Sequence, residues 1–148
     1  MKGVLQWAAA SRAPAAALFV RLAVGGIFLL EGIKKFLFTA QWGAGRFEHI
    51  GIPAPQAMAP FVGVVEIGCG ALILLGLFTR LAAIPLVGVI SVAIASTKIP
   101  ILLKSGFWPM EAEARTDVAM LCGLLFLAAA GSGTWSVDAF LVRRKRRP

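Results

Sequence analysis

Residues 57–78 read AMAPFVGVVEIGCGALILLGLF, a run whose single charge is Glu66. About 20 predominantly apolar residues are enough for a helix to cross the hydrocarbon core of a bilayer. Gly63, Glu66 and Gly70 follow i, i+3, i+7, which puts the carboxylate on one stripe of small residues. Small residues let a second helix approach closely, so Glu66 is expected to face another helix rather than lipid.

Working outward, three further stretches are long and apolar enough to span, giving expected segments at about 14–38, 57–78, 80–98 and 114–134. The fold class expected is therefore an all-α membrane protein, a four-helix transmembrane bundle in one domain covering residues 1–148. The link at Thr79-Arg80 is so short that spans two and three must be antiparallel neighbours. Between spans one and two, residues 41–55 set Trp42, Phe47 and Ile50 against Arg46, Glu48 and His49. That pattern predicts a short amphipathic helix lying at the interface. Residues 105–115, with Gly106 and Pro109, are expected to be a loop capping the same side. The apolar piece before Arg12 is too short for a cleaved leader, so the first span is expected to be retained.

Composition agrees with a membrane chain. Of 148 residues, 59% are AVILMFWYC, 16 are Gly and 15% are charged, and mean hydropathy is +0.84. Soluble domains hold about 45–50% apolar residues with Gly included, and a chain this short has no core large enough to hide the excess. A soluble domain, a disordered tail and a secreted disulfide scaffold are excluded. The net charge is +8, but five bases (Arg143, Arg144, Lys145, Arg146, Arg147) directly follow an apolar segment. Such a cluster binds anionic head groups and fixes orientation, so the expected partner is the lipid bilayer and not nucleic acid. With four spans, Lys2, Arg12, Arg80 and the tail share one side, which makes both termini cytoplasmic. Trp7, Trp42, Trp108 and Trp135 each flank an expected span, as an aromatic belt requires.

The chain is poor in cofactor ligands. His49 is the single histidine, and Cys69 and Cys122 lie in apolar runs without a CxxC pair. Histidine-ligated haem, His-based metal sites and cysteine-ligated clusters therefore lack ligands within the chain. No metal site is expected, and the thiols are expected to be buried and unactivated.

The candidate site is a set of intramembrane charges: Arg21, Glu31, Lys34, Lys35, Glu66 and Asp117. Each costs about 2.5–3.5 kcal/mol to insert, so such groups face the protein interior and mark function. Arg21 is the expected partner of Glu66, its side chain bridging the difference in depth. Glu31 reaches Lys34 at i+3 and Lys35 at i+4, a favourable order. Asp117, near the start of span four, suits a helix N-terminus. Each charge has a structural reading, as a buried pair that pins the bundle, beside the functional one.

The pattern Arg21…Glu31-Gly32-Ile33-Lys34-Lys35, then Gly45-Arg46-Phe47…Gly51-Ile52-Pro53, then Glu66…Gly70…Leu75-Gly76-Leu77-Phe78-Thr79-Arg80-Leu81-Ala82-Ala83 resembles the DoxX family. The likeness runs from about Arg21 to Asp138. It implies a prokaryotic four-helix protein of the cytoplasmic (inner) membrane, some relatives being linked to quinone-dependent thiosulfate oxidation, methylamine-dehydrogenase maturation or complexes handling thiol stress. The positions it carries over are Glu31, Lys34, Glu66 and Arg80. Arg80 also reads as a plain inside anchor.

The leading expectation is the small membrane subunit of a quinone-linked redox complex, anchoring a protein partner and helping to form a quinone or small-substrate pocket. No cofactor is expected to be bound by ligands of the chain itself, with quinone as the candidate. A self-sufficient oxidoreductase is not expected. The alternatives are a non-enzymatic assembly or scaffold protein, as a hetero-complex or homo-oligomer, and a small-solute carrier.

Overall fold

The computed structural model describes Trp7 and residues 13–145, and every regular element among them is helical. Lys2, Arg12, Arg146 and Arg147, counted above toward orientation, lie outside the described residues. The elements are α1 (Ala17–Leu37), α2 (Ala44–His49), α3 (Pro55–Leu75), α4 (Thr79–Ala93), a π-turn (Ile94–Lys98), α5 (Ile99–Ser105), α6 (Phe107–Ala130) and α7 (Val137–Lys145).

Two helical stretches are long and apolar enough to cross a membrane: Pro55–Leu75 and the continuous run Thr79–Ser105. Helices α1 and α6 have the length, but each carries four charges: Arg21, Glu31, Lys34 and Lys35 in one, Glu111, Glu113, Arg115 and Asp117 in the other. Large apolar side chains cover the outside; Phe19, Phe61, Val64 and Leu103 are all more than 60% exposed. A soluble protein does not present so continuous an apolar exterior. Here that surface suits acyl chains.

The tightest contact joins α1 to α3, and glycine makes it possible. A Cβ on Gly25 would lie 2.9 Å from the Gly70 carbonyl oxygen, and one on Gly32 would lie 2.7 Å from that of Gly63. Two glycine pairs seven residues apart, read in opposite directions, make the helices antiparallel and fix their register. Helix α6 packs on the other flank, where Gly123 accepts the Val24 side chain. Phe28, Ile73, Leu86, Ile90, Leu124 and Leu127 fill the core between the four long helices.

Helix α3 opens on Pro55, whose missing N–H is harmless in a first turn. It ends at Gly76 (φ 69°), with the Leu77 N–H donating to the Leu72 carbonyl at 2.9 Å. This left-handed cap favours glycine. Space demands it too, because a Cβ there would lie 2.6 Å from Arg21 Cζ.

The run from α4 to α5 is not a plain α-helix. Pro100 has no N–H to offer the Ser96 carbonyl, and the ladder shifts to a π-turn in which the Ile99 N–H donates to Ile94. The chain then turns at Gly106 and returns as α6. Residues 107–115 are therefore helical, against the loop expected there, because Gly106 (φ 85°) alone breaks the chain. Both described chain ends lie at one end of the molecule. There the Ser132–Gly133 segment meets Pro14 and Arg21, and the Asp138 N–H donates to the Gly76 carbonyl at 3.1 Å. Residues 39–54 lie at the other.

Candidate functional site

A cavity of about 490 Å³ lies between α1, α3, the α4–π-turn segment and α6, on the side away from the chain ends. Residues 42–52 cover it. Most of its wall is apolar (Phe28, Met58, Phe61, Val62, Met120), but Glu31, Lys35, Arg46, Glu66, Lys98 and Asp117 also line it. The volume falls in the range of small-molecule sites, about 300–1,000 Å³, and so does the mix of apolar wall with a few polar groups.

Two ion pairs occupy this cavity. Lys35 Nζ donates to Glu66 Oε2 at 2.6 Å, joining α1 to α3. Lys98 Nζ lies 3.3 Å from Asp117 Oδ2, joining the π-turn to α6. Beside them, Lys34 Nζ donates to Glu31 Oε1 at 2.7 Å and sits 4.1 Å from the centre of the Trp42 ring. Arg46 packs near the same ring at 5.2 Å. Ser96 and Thr97 return their hydroxyls to Val92 and Ala93 carbonyls, so neither leaves an orphan donor at the π-turn.

The charges expected to converge do so only in part. Glu31, Lys35, Glu66 and Asp117 line one cavity and Lys34 braces its edge, but Arg21 stands apart. It is not the partner of Glu66. Its guanidinium donates to four carbonyls, those of Ile73 (2.8 Å), Leu74 (2.6 Å), Ser132 (3.1 Å) and Trp135 (2.6 Å). The Ile73 carbonyl also accepts the Gly76 N–H at the helix cap, and the four bonds use four of the five guanidinium donors. Arg21 therefore fastens α3 to the 131–136 turn, about 10 Å along α3 from Glu66. Asp117 does not cap a helix either, because α6 starts at Phe107 and carries Asp117 nearly three turns in. Its partner is Lys98. The thiols are less sheltered than expected, with Cys69 half-buried and Cys122 exposed.

The end near the chain termini holds a second polar group. Arg80 Nη2 donates to the Ala129 carbonyl at 2.9 Å, and its guanidinium stacks 5.4 Å from the Trp7 ring. Asp138 is 1% exposed. Its carboxylate sits against the Phe78 and Thr79 N–H groups and the Ser132 hydroxyl, though neither oxygen closes a well-aligned hydrogen bond. Burial pushes its carboxyl above the ordinary aspartate range, while those donors and Arg21 pull the other way. Arg80 and Asp138 lie outside the cavity and hold α4, α6 and α7 together.

Lys98, Thr97, Trp42 and Arg46 join the cavity without having been singled out as site residues. The signal for the first two was Pro100, whose place four residues past Ser96 disturbs the helix there. For the others it was the aromatic–basic alternation of residues 42–47.

Comparisons with known proteins place the chain in a family. The DoxX family model matches residues 16–99. An uncharacterized membrane protein of Mycobacterium tuberculosis is 49% identical over 137 residues, covering 88% of this chain and 84% of that protein. A Bacillus subtilis protein named "Putative oxidoreductase CatD" is 28% identical over 130 residues, covering 87% and 89%. No solved structure matches the chain. The chain belongs to the DoxX family and is a membrane protein.

Proposed function

We propose that this DoxX-family chain is the membrane subunit of a quinone-linked redox complex and that its cavity is the quinone or small-substrate pocket. One observation carries the reading: an apolar cavity of about 490 Å³ has the buried Lys35–Glu66 pair in its wall. A flat apolar ring with carbonyl oxygens needs apolar walls and one or two hydrogen-bond donors, and this cavity supplies both. The name of the Bacillus subtilis relative points the same way. A quinone would supply the electron-accepting chemistry. Lys35 donates to an oxygen at the cavity wall, Glu66 holds the Lys35 ammonium in place, and the shell of Phe28, Phe61 and Met120 keeps water out.

In this reading α1, α3, α4–α5 and α6 all cross the cytoplasmic (inner) membrane, and α2 lies at the outer interface. In α1 Glu31, Lys34 and Lys35 are paired and Arg21 is bound to carbonyls, and in α6 Asp117 is paired with Lys98, which lowers their insertion cost. The exposed Glu111, Glu113 and Arg115 lie in the first turns of α6, toward the interface. An even number of crossings leaves both chain ends on one side, and the basic α7 region makes that side the cytoplasm.

Purification from native membranes in mild detergent tests the role. The expected result is a partner subunit and quinone reduction whose turnover per assembled complex falls in Glu66→Gln. A protein that purifies alone, with quinone reduction in the membranes untouched by Glu66→Gln, contradicts it. The scaffold reading predicts a different pattern: Glu66→Gln lowers the yield of complex and leaves its turnover intact.

A further inference from the structure

Three lysines answer three carboxylates around the cavity, one to one: Lys34 with Glu31, Lys35 with Glu66 and Lys98 with Asp117. Arg46 is left over. Among the described residues its side chain makes no ion pair and no hydrogen bond, and it lies 5.2 Å from the centre of the Trp42 ring. Both Arg46 and Trp42 line the cavity. Arg46 is thus the one charged side chain lining the cavity that has no ion-pair partner among the described residues, and its side chain presents a rigid fork of donors.

The element that carries the fork also lines the cavity. Arg46 sits in the short helix α2, whose Phe47, with Ile50 and Ile52 just beyond it, faces the same cavity. Lys34 packs on the Trp42 ring as well, 4.1 Å from its centre, but its ammonium is already bound to Glu31 and adds no free charge.

We infer that the cavity selects a singly charged amphipathic anion, an apolar ring or chain bearing one acidic oxygen, and that Arg46 is the residue that recognises the charge. The inference deepens the pocket reading and rests on it, because it requires the cavity to take a ligand. The oxyanion can come from a free small molecule or from an anionic lipid head group; the chemistry Arg46 reads is the same.

Two naphthoquinones of nearly equal shape separate charge from size. The 2,3-dimethyl compound is neutral, while 2-hydroxy-3-methyl-1,4-naphthoquinone is an anion at neutral pH, and neither has an open position for thiol attack. Binding is read as quenching of Trp42 in the full chain with Trp7, Trp108 and Trp135 changed to Phe. In phosphatidylcholine nanodiscs the anion is expected to bind at least about tenfold tighter than the neutral compound, the scale of one charge-assisted hydrogen bond. Arg46→Gln abolishes that preference with little effect on the neutral compound, and Arg46→Lys keeps part of it.

Repeating the titration in phosphatidylglycerol nanodiscs assigns the source. An unchanged preference points to a free anion, and a preference lost only there points to a lipid head group; both support the inference. Equal affinity for the two compounds in phosphatidylcholine, or equal losses in Arg46→Gln, overturns it while leaving the pocket intact. Binding of neither compound overturns both.

Discussion

Lys35 Nζ lies 2.6 Å from Glu66 Oε2, and the two side chains are 11% and 5% exposed. The pair bridges α1 and α3 beside the Gly32–Gly63 contact. Glycine and charge thus act on one seam. The small residues set the separation of the helices, and the ion pair fills the space where the seam opens into the cavity.

Breaking this pair from one side is expected to destabilise the protein by about 3–5 kcal/mol, because it strands a buried charge. Lys35→Met and Glu66→Leu should each lower the midpoint of unfolding in detergent. The double variant should recover most of the loss, since a buried pair replaced by apolar groups is often neutral. Additive losses in the double variant would show that the two residues do not act on each other.

The glycine seam makes a sharper prediction, because it sorts glycines by position. Gly32→Ala drives a Cβ to 2.7 Å from the Gly63 carbonyl and is expected to cost about 1–3 kcal/mol as overpacking. Gly26 and Gly68 have nothing within 4 Å of an added Cβ. Gly26→Ala and Gly68→Ala should therefore lose no stability and should gain up to about 1 kcal/mol, the ordinary advantage of Ala over Gly inside a helix. Thermal unfolding of the three variants in one detergent checks this.

Asp138 gives a pH signature. Its carboxyl is raised by burial, so the folded state holds a proton that the unfolded state has already released. Stability should then fall as pH rises from the ordinary aspartate value through the raised one. Asp138→Asn cannot titrate, so the unfolding midpoint of the variant minus that of the parent should rise across that window and flatten above it. A difference independent of pH from mildly acid to neutral would contradict the assignment.

How much of this was readable beforehand differs from element to element. The apolar run around Glu66 and its small-residue stripe were legible, since periodicity alone places Gly63, Glu66 and Gly70 on one face. The partner of Glu66 was not. Residues 21, 25, 28, 32 and 35 share one face of α1, so both Arg21 and Lys35 point toward α3. Choosing between them needs the register of the two helices, which the glycine contacts set and a linear sequence does not display. That register puts Glu66 level with about residue 29, roughly 9 Å of helix from Lys35 and 12 Å from Arg21. Arg21 is also drawn away by the carbonyls at the end of α3. The 105–115 stretch misled for another reason: its polar residues and Pro109 read as a loop, yet proline is tolerated in a first helical turn. Lys98 escaped notice because its inward position depends on the π-turn that Pro100 imposes.

The proposed function requires a ligand to enter the cavity between the Lys35–Glu66 and Lys98–Asp117 pairs. Thr97 lines that cavity, while Leu103, at 80% exposure, lies on the outer surface. With Cys69 and Cys122 changed to Ser, Thr97→Cys and Leu103→Cys can each be labelled with a maleimide in nanodiscs, with and without 2,3-dimethyl-1,4-naphthoquinone. The expected result is severalfold slower labelling at position 97 when the quinone is present and an unchanged rate at position 103. Equal rates at position 97 with and without quinone, or equal slowing at both positions, would contradict the account.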